Sequence, residues 1–130
     1  MKKLITAVAL VVLSGCSTVQ TVVDWIPSRW DANQSQSVTD IQQTVRHIDC
    51  KADLAPQLSN LFLKVEWYDL YATTKGTKDM AKLDQVVLNT IKEFQDKVAA
   101  GPVSPLYCDL KKKILIQQAD IIAQTVQGRF

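Results

Sequence analysis

Three thiols, one imidazole and a scatter of carboxylates are the side chains of this sequence that could carry covalent or acid–base chemistry. The thiols are Cys16, Cys50 and Cys108, the imidazole is His47, and the glutamates are Glu66 and Glu93. A nucleophile needs a base within hydrogen-bond reach and a further group that orients the base. His47 stands two residues from Asp49, a spacing that puts the two on different faces of a helix, so it lacks an evident orienting carboxylate. Carboxylates on facing helices can form a hydrolytic pair, but no spacing in this chain requires one. GxSxG, HExxH and a Gly-rich phosphate loop are all missing from the sequence. Without a CxxC pair, and with one His, the thiols make a poor metal set. The expectation is therefore a non-enzymatic protein with no catalytic residues, no metal and no cofactor.

Two groups of residues point instead to contact chemistry. Asp109 beside Lys111, Lys112 and Lys113 is the densest charge cluster. Three consecutive lysines spread around much of a helix, so they read first as a solvated face whose stems pack over apolar surface. Their second reading is a contact with an anionic partner such as lipid headgroups or an acidic protein patch. Trp67 and Tyr68 with Tyr71 could line a ligand cleft, but aromatics on an apolar helix are more often core.

The N-terminus has a distinct composition. Lys2 and Lys3 precede an uncharged run from Leu4 to Leu13, after which comes Leu13-Ser14-Gly15-Cys16. That run is too short for the roughly 20 helical residues that span a bilayer, and it fits a signal-peptide core. The alternatives are an ordinary signal peptide with an incidental Cys, or a short membrane anchor. Leu13-Ser14-Gly15-Cys16 resembles the lipobox of bacterial lipoproteins. The resemblance implies diacylglycerol on the Cys16 thiol, cleavage before Cys16 and acylation of the new amino group. Ser17 stands where an Asp marks inner-membrane retention in that family. The resemblance thus implies an outer-membrane anchor with the folded part in the periplasm. Cleavage removes 15 of 130 residues and leaves 115; loss of Lys2 and Lys3 takes the basic count from 15 to 13, against 13 acids. The formal charge of +2 then falls to zero. Neither value suggests a nucleic-acid partner, which calls for a strongly basic face.

With Cys16 taken by the anchor, Cys50 and Cys108 are left as an even pair in an oxidising compartment, where disulfides persist. A bridge between them closes a loop of nearly 60 residues, for which chain entropy gives roughly 4 kcal/mol.

The elements that position these residues are helices. A chain of 130 residues allows one domain, and four Gly with four Pro exclude collagen-like or broadly disordered character. Val38, Ile41, Val45 and Ile48 step by 3, 4 and 3, predicting a short first helix from near Ser37 with Asp40 at a capping-box position. Pro56 opens a second helix, with a stripe of Leu58, Leu61, Val65, Tyr68 and Ala72, widened by Phe62, Trp67 and Leu70. Gly76 reads as its stop and Thr77 as the next N-cap. Met80, Leu83, Val87, Ile91, Phe94 and Val98 mark a third helix to about Ala100, ended by Gly101 and Pro102. Ser104 and Pro105 restart a fourth, striped by Leu106, Leu110, Ile114 and Ile121 with Leu115, Ile122 and Val126. The predicted fold is all-α: a small bundle of about four helices with one disulfide. Residues 1–15 are expected to be the signal peptide, 16–36 a lipidated tether and 37–130 the bundle. Within the tether, Trp25, Ile26 and Trp30 either meet the membrane or a partner, since indoles favour the headgroup level, or fold back over one end of the core.

The stretch from Trp25 to Ser35, the Lys75-Gly76-Thr77 turn, the Tyr107-Cys108 and Lys111-Lys112-Lys113 segment and the terminal Gly128-Arg129-Phe130 are similar to small lipoproteins of tailed bacteriophages. These pieces cover under a quarter of the chain. The resemblance implies one of two roles: an outer spanin subunit in host lysis, or a superinfection-exclusion lipoprotein acting on an outer-membrane receptor. Familiar outer spanins tend to be shorter and Pro-rich, which this chain is not. The broader expectation is a lipoprotein that contacts another envelope component; a peptidoglycan-active enzyme is the remaining alternative. The partner and the oligomeric state have no signature in the sequence.

Overall fold

A computed structural model describes residues 31–128. Cys16, Trp25, Ile26 and Trp30 lie outside the described residues. Four helices follow one another: α1 (Ala32–Arg46), α2 (Leu54–Thr74), α3 (Lys78–Ala100) and α4 (Pro105–Gln127). Each packs against its neighbours in sequence, and α1 closes the ring on α4, while the diagonal helices stand farther apart across the shared core. The side-chain pairings make neighbours antiparallel, since Gln42 meets Asp120 while Lys112 meets the Ile48 carbonyl. The described chain is an all-α, up-down-up-down bundle with one disulfide, as its periodicity predicts.

Local chemistry explains most boundaries. Asp53 caps α2 by accepting from the Ala55 N–H, and Pro56 sits in the first turn, where its missing N–H costs no helical bond. At the other end of α2, Gly76 takes φ +78°, which only Gly adopts without steric cost. The Thr77 N–H then reaches the Ala72 carbonyl and the Gly76 N–H the Thr73 carbonyl, the Schellman pattern. Thr77 is the N-cap of α3 by position, yet its hydroxyl donates back to the Ala72 carbonyl at 2.7 Å instead of capping α3. Ser104 caps α4 by accepting from the Tyr107 N–H at 3.2 Å, with Pro105 at the first helical position.

The first helix starts earlier than its apolar stripe suggests. Asp31, not a residue near Ser37, is the N-cap: its carboxylate accepts from the Asn33 N–H at 2.9 Å. Ser37 is inside the helix and bonds the Asn33 carbonyl, and Asp40 pairs with Lys64 on α2 at 2.9 Å rather than closing a capping box. The bundle therefore takes in residues 31–36, and the buried Gln34 belongs to it.

The core comes from the stripes. Val38, Ile41, Val45 and Ile48 of the first stripe are all buried, as are Leu58, Leu61, Val65, Tyr68 and Ala72 of the second. Met80, Val87, Ile91 and Phe94 face them from α3, with Leu83 and Val98 at its edges. On α4 the expected stripe is half reversed. Leu115, Ile122 and Val126 are buried with Cys108, Ala119 and Ala123, whereas Leu106, Leu110, Ile114 and Ile121 are exposed. This helix has large apolar residues on two sides, and the small Ala119 and Ala123 lie on the buried one.

Candidate interaction surfaces

Cys50 and Cys108 are bonded, with their Cα atoms 5.9 Å apart. The bridge ties the α1–α2 loop to the first turn of α4, and hydrogen bonds surround it. Gln57 accepts from the Asp49 N–H and donates to the Asp49 and Asp53 carbonyls, while Lys112 donates to the Ile48 carbonyl at 2.8 Å. Lys111 pairs with Glu93 at 2.9 Å and reaches over the Tyr107 ring. Two of the three consecutive lysines are thus committed to intramolecular contacts, which leaves Lys113 exposed beside Asp109.

The remaining candidates for chemistry are dispersed. His47 is the exposed C-cap of α1, with Nδ1 2.8 Å from the Gln43 carbonyl oxygen. Glu66 is exposed on α2, and Glu93 is the partner of Lys111 on α3. Among the described residues no three His, Cys, Asp or Glu are grouped to hold a metal ion, and no helix is long and apolar enough to cross a membrane.

The aromatic trio divides. Tyr68 is fully buried, while Trp67 is 53% exposed and stacks on Tyr71 at 5.3 Å. Trp67 and Leu70 therefore do not widen the buried face of α2. With Leu63, at 60% exposure, they form a separate stripe on the side opposite the core. Beside it, a shallow groove of about 240 Å³ between α1 and α2 is lined by Ser37, Asp40, Leu63, Lys64 and Trp67. Tyr71 donates its hydroxyl to Asp31 at 2.6 Å, and this bond holds the Asp31 carboxyl below its ordinary range. The chain thus joins the bundle at the edge of the α2 stripe. Across α1 and α4, Asp120 is lowered likewise, by hydrogen bonds from Arg46 and then Gln42.

A second feature escaped the sequence reading. Asp84 on α3 is fully buried, and neither carboxylate oxygen has a hydrogen-bond partner among the described residues. Burial, reinforced by the charge of Asp69 on α2, pushes it up to about 7. Asp69 itself accepts from Gln85 at 3.1 Å through one oxygen, while the other is buried without a partner. The signal was available: Met80, Asp84, Val87, Ile91 and Phe94 step by 4, 3, 4 and 3, so Asp84 occupies a core position that Leu83 only approaches.

No protein-family model, curated protein or solved structure matches this chain.

Proposed function

We propose that this protein is a lipid-anchored lipoprotein of the outer membrane. Its helical bundle faces the periplasm and works, without catalysis, by contacting another envelope component. The observation that carries this reading is Leu13-Ser14-Gly15-Cys16 behind an uncharged run and two lysines. The Cys50–Cys108 bridge supports an oxidising compartment. Two acyl chains or more would make the attachment stable, since each buried methylene contributes about 0.8 kcal/mol. The outward apolar residues of α2 and α4 supply contact surface of the kind such a role needs.

The test is metabolic labelling with radioactive palmitate followed by membrane fractionation. The wild-type chain is expected to take up label and sediment with outer membrane, and Cys16→Ala to do neither. A Cys16→Ala chain that still fractionates with outer membrane would overturn the anchor. The phage resemblance adds two forms of the role, outer spanin and superinfection exclusion. Gene deletion separates them: unlysed spherical hosts after endolysin action support the spanin form. Normal lysis with loss of resistance to a second phage supports exclusion. A peptidoglycan hydrolase would instead clear a murein suspension as purified bundle.

A further inference from the structure

We infer that the outward face of α2 rests on the lipid surface to which the chain is anchored, with Leu63, Trp67 and Leu70 at the headgroup level and Lys75 against lipid phosphates. This rests on the lipid-anchor reading above and names the surface the domain itself uses.

Geometry selects this stripe over the other. Leu63, Trp67 and Leu70 step by 4 and 3 along α2, opposite its buried residues, and are 60%, 53% and 64% exposed. The edge toward α1 continues through Tyr71, stacked on Trp67, to Lys75, whose Nζ lies 5.6 Å from the centre of the Tyr71 ring. Aliphatic residues, an indole, a phenol and a terminal cation in that order suit a membrane interface. Indole and phenol rings favour the headgroup level, and basic residues favour phosphate. Of the acidic groups nearby, Asp40 is ion-paired with Lys64, Asp31 accepts from Tyr71 within the field of Lys75, and Asp69 accepts from Gln85. Glu66 stays exposed, on the edge away from Lys75.

The place where the chain joins the bundle points the same way. Asp31 is bonded to Tyr71 of this face, and 15 residue steps separate it from Cys16. Chain geometry limits that length to a reach of about 50 Å at most. The anchor therefore holds this face within a short reach of the bilayer, at an effective concentration on the order of mM, so weak contacts suffice. The other exposed stripe, Leu106, Leu110, Ile114 and Ile121, is purely aliphatic. It lies on α4, diagonal to α2 across the bundle, and a flat surface that covers one stripe leaves the other uncovered.

The experiment uses the chain from Cys16 onward with Trp25→Phe and Trp30→Phe, which leaves Trp67 as its one tryptophan. With Cys50 and Cys108 bonded, Cys16 is the one free thiol, and it is coupled to a maleimide lipid in phosphatidylcholine vesicles containing phosphatidylglycerol. This coupling supplies the anchor whether or not a cell acylates Cys16, so failure of the α2 face and failure of the lipoprotein reading are separate results. Lipids brominated near the headgroup are expected to quench Trp67 roughly twofold, with a blue shift in emission, and Leu63→Ser with Leu70→Ser to remove most of that change. Trp67 equally open to acrylamide before and after coupling would overturn the inference. So would Trp67 already shielded before coupling, which assigns the face to the segment around residues 25–30. Shielding that tracks protein density instead of lipid assigns it to a second copy and overturns it as well.

Discussion

At the end of the bundle where α1 meets α2 and α3 meets α4, a disulfide and a closed set of hydrogen bonds surround Cys50, Asp49, Gln57 and Lys112. At the opposite end, where the chain enters at Asp31 and Gly76 turns α2 into α3, the core contains Asp84 facing the charge of Asp69. The first end is stabilised covalently and has no buried carboxylate to titrate. The second depends on protonation. The contrast shows that one small bundle can combine a fixed end with a condition-sensitive one, and that the sensitive one is the end at which Asp31 enters the bundle.

The largest expected effect breaks the fixed end. Replacing Cys50 and Cys108 together by Ala should lower stability in urea by about 4 kcal/mol, from the closed loop of 58 residues. A loss near zero would mean that packing alone fixes this end and would erase the contrast.

Next comes the pH response of the sensitive end. The folded-state value of Asp84 is raised from 3.8 to about 7, so its neutral form is favoured in the fold. That contribution is fully present below about pH 4 and is lost as pH rises through about 7, amounting to about 4 kcal/mol at most. The neighbouring charge does not offset this, since Asp69 on α2 adds to it. Asp84→Asn should flatten the urea-midpoint profile between pH 5 and 8 and exceed wild type at pH 8. An unchanged slope would remove Asp84 as its source.

A smaller change probes the point of chain entry. Tyr71→Phe removes a hydrogen bond to a solvent-facing carboxylate, so about 1 kcal/mol or less is expected. The depressed Asp31 gives stability that is present above its ordinary pKa and lost as pH falls through the lowered value. The variant should therefore lose that acid dependence, with faster amide exchange confined to the first turn of α1.

The smallest effect belongs to Ser104→Ala. A lost N-cap usually costs about 1 kcal/mol, but the bridge at Cys108 already holds this turn. The cost should be a few tenths with the disulfide intact and should grow on reduction. Equal costs in both states would show that the bridge and the cap act independently.

Periodicity was sufficient for the architecture because α1 and α2 each have one stripe that packs inward, from Val38 to Ile48 and from Leu58 to Ala72. It failed on α4, where apolar residues occur on both sides and spacing alone cannot say which side faces inward. There the small residues Ala119 and Ala123 mark the inner face better than the large Leu106 and Leu110. The start of α1 was missed because Asp31 begins a turn with no buried large apolar residue; its cap depends on the distant Tyr71 as well as on Asn33. Asp84 was missed because a carboxylate in a core stripe contradicts the burial rule used to draw the stripe. The disulfide was legible from an even cysteine pair. The outward face of α2 was legible as residues but not as a surface, since Trp67 and the buried Tyr68 are adjacent in sequence.

The bridge also decides how the molecule would carry tension. Between residue 31 and residue 128, the shortest covalent path runs along α1, across Cys50–Cys108 and down α4. A pull between residues 31 and 128 is borne by those two helices and by the Arg46–Asp120 pair that links them. The α2–α3 hairpin hangs outside that path as an unloaded loop. Loss of its packing would not lengthen the covalent path between residues 31 and 128.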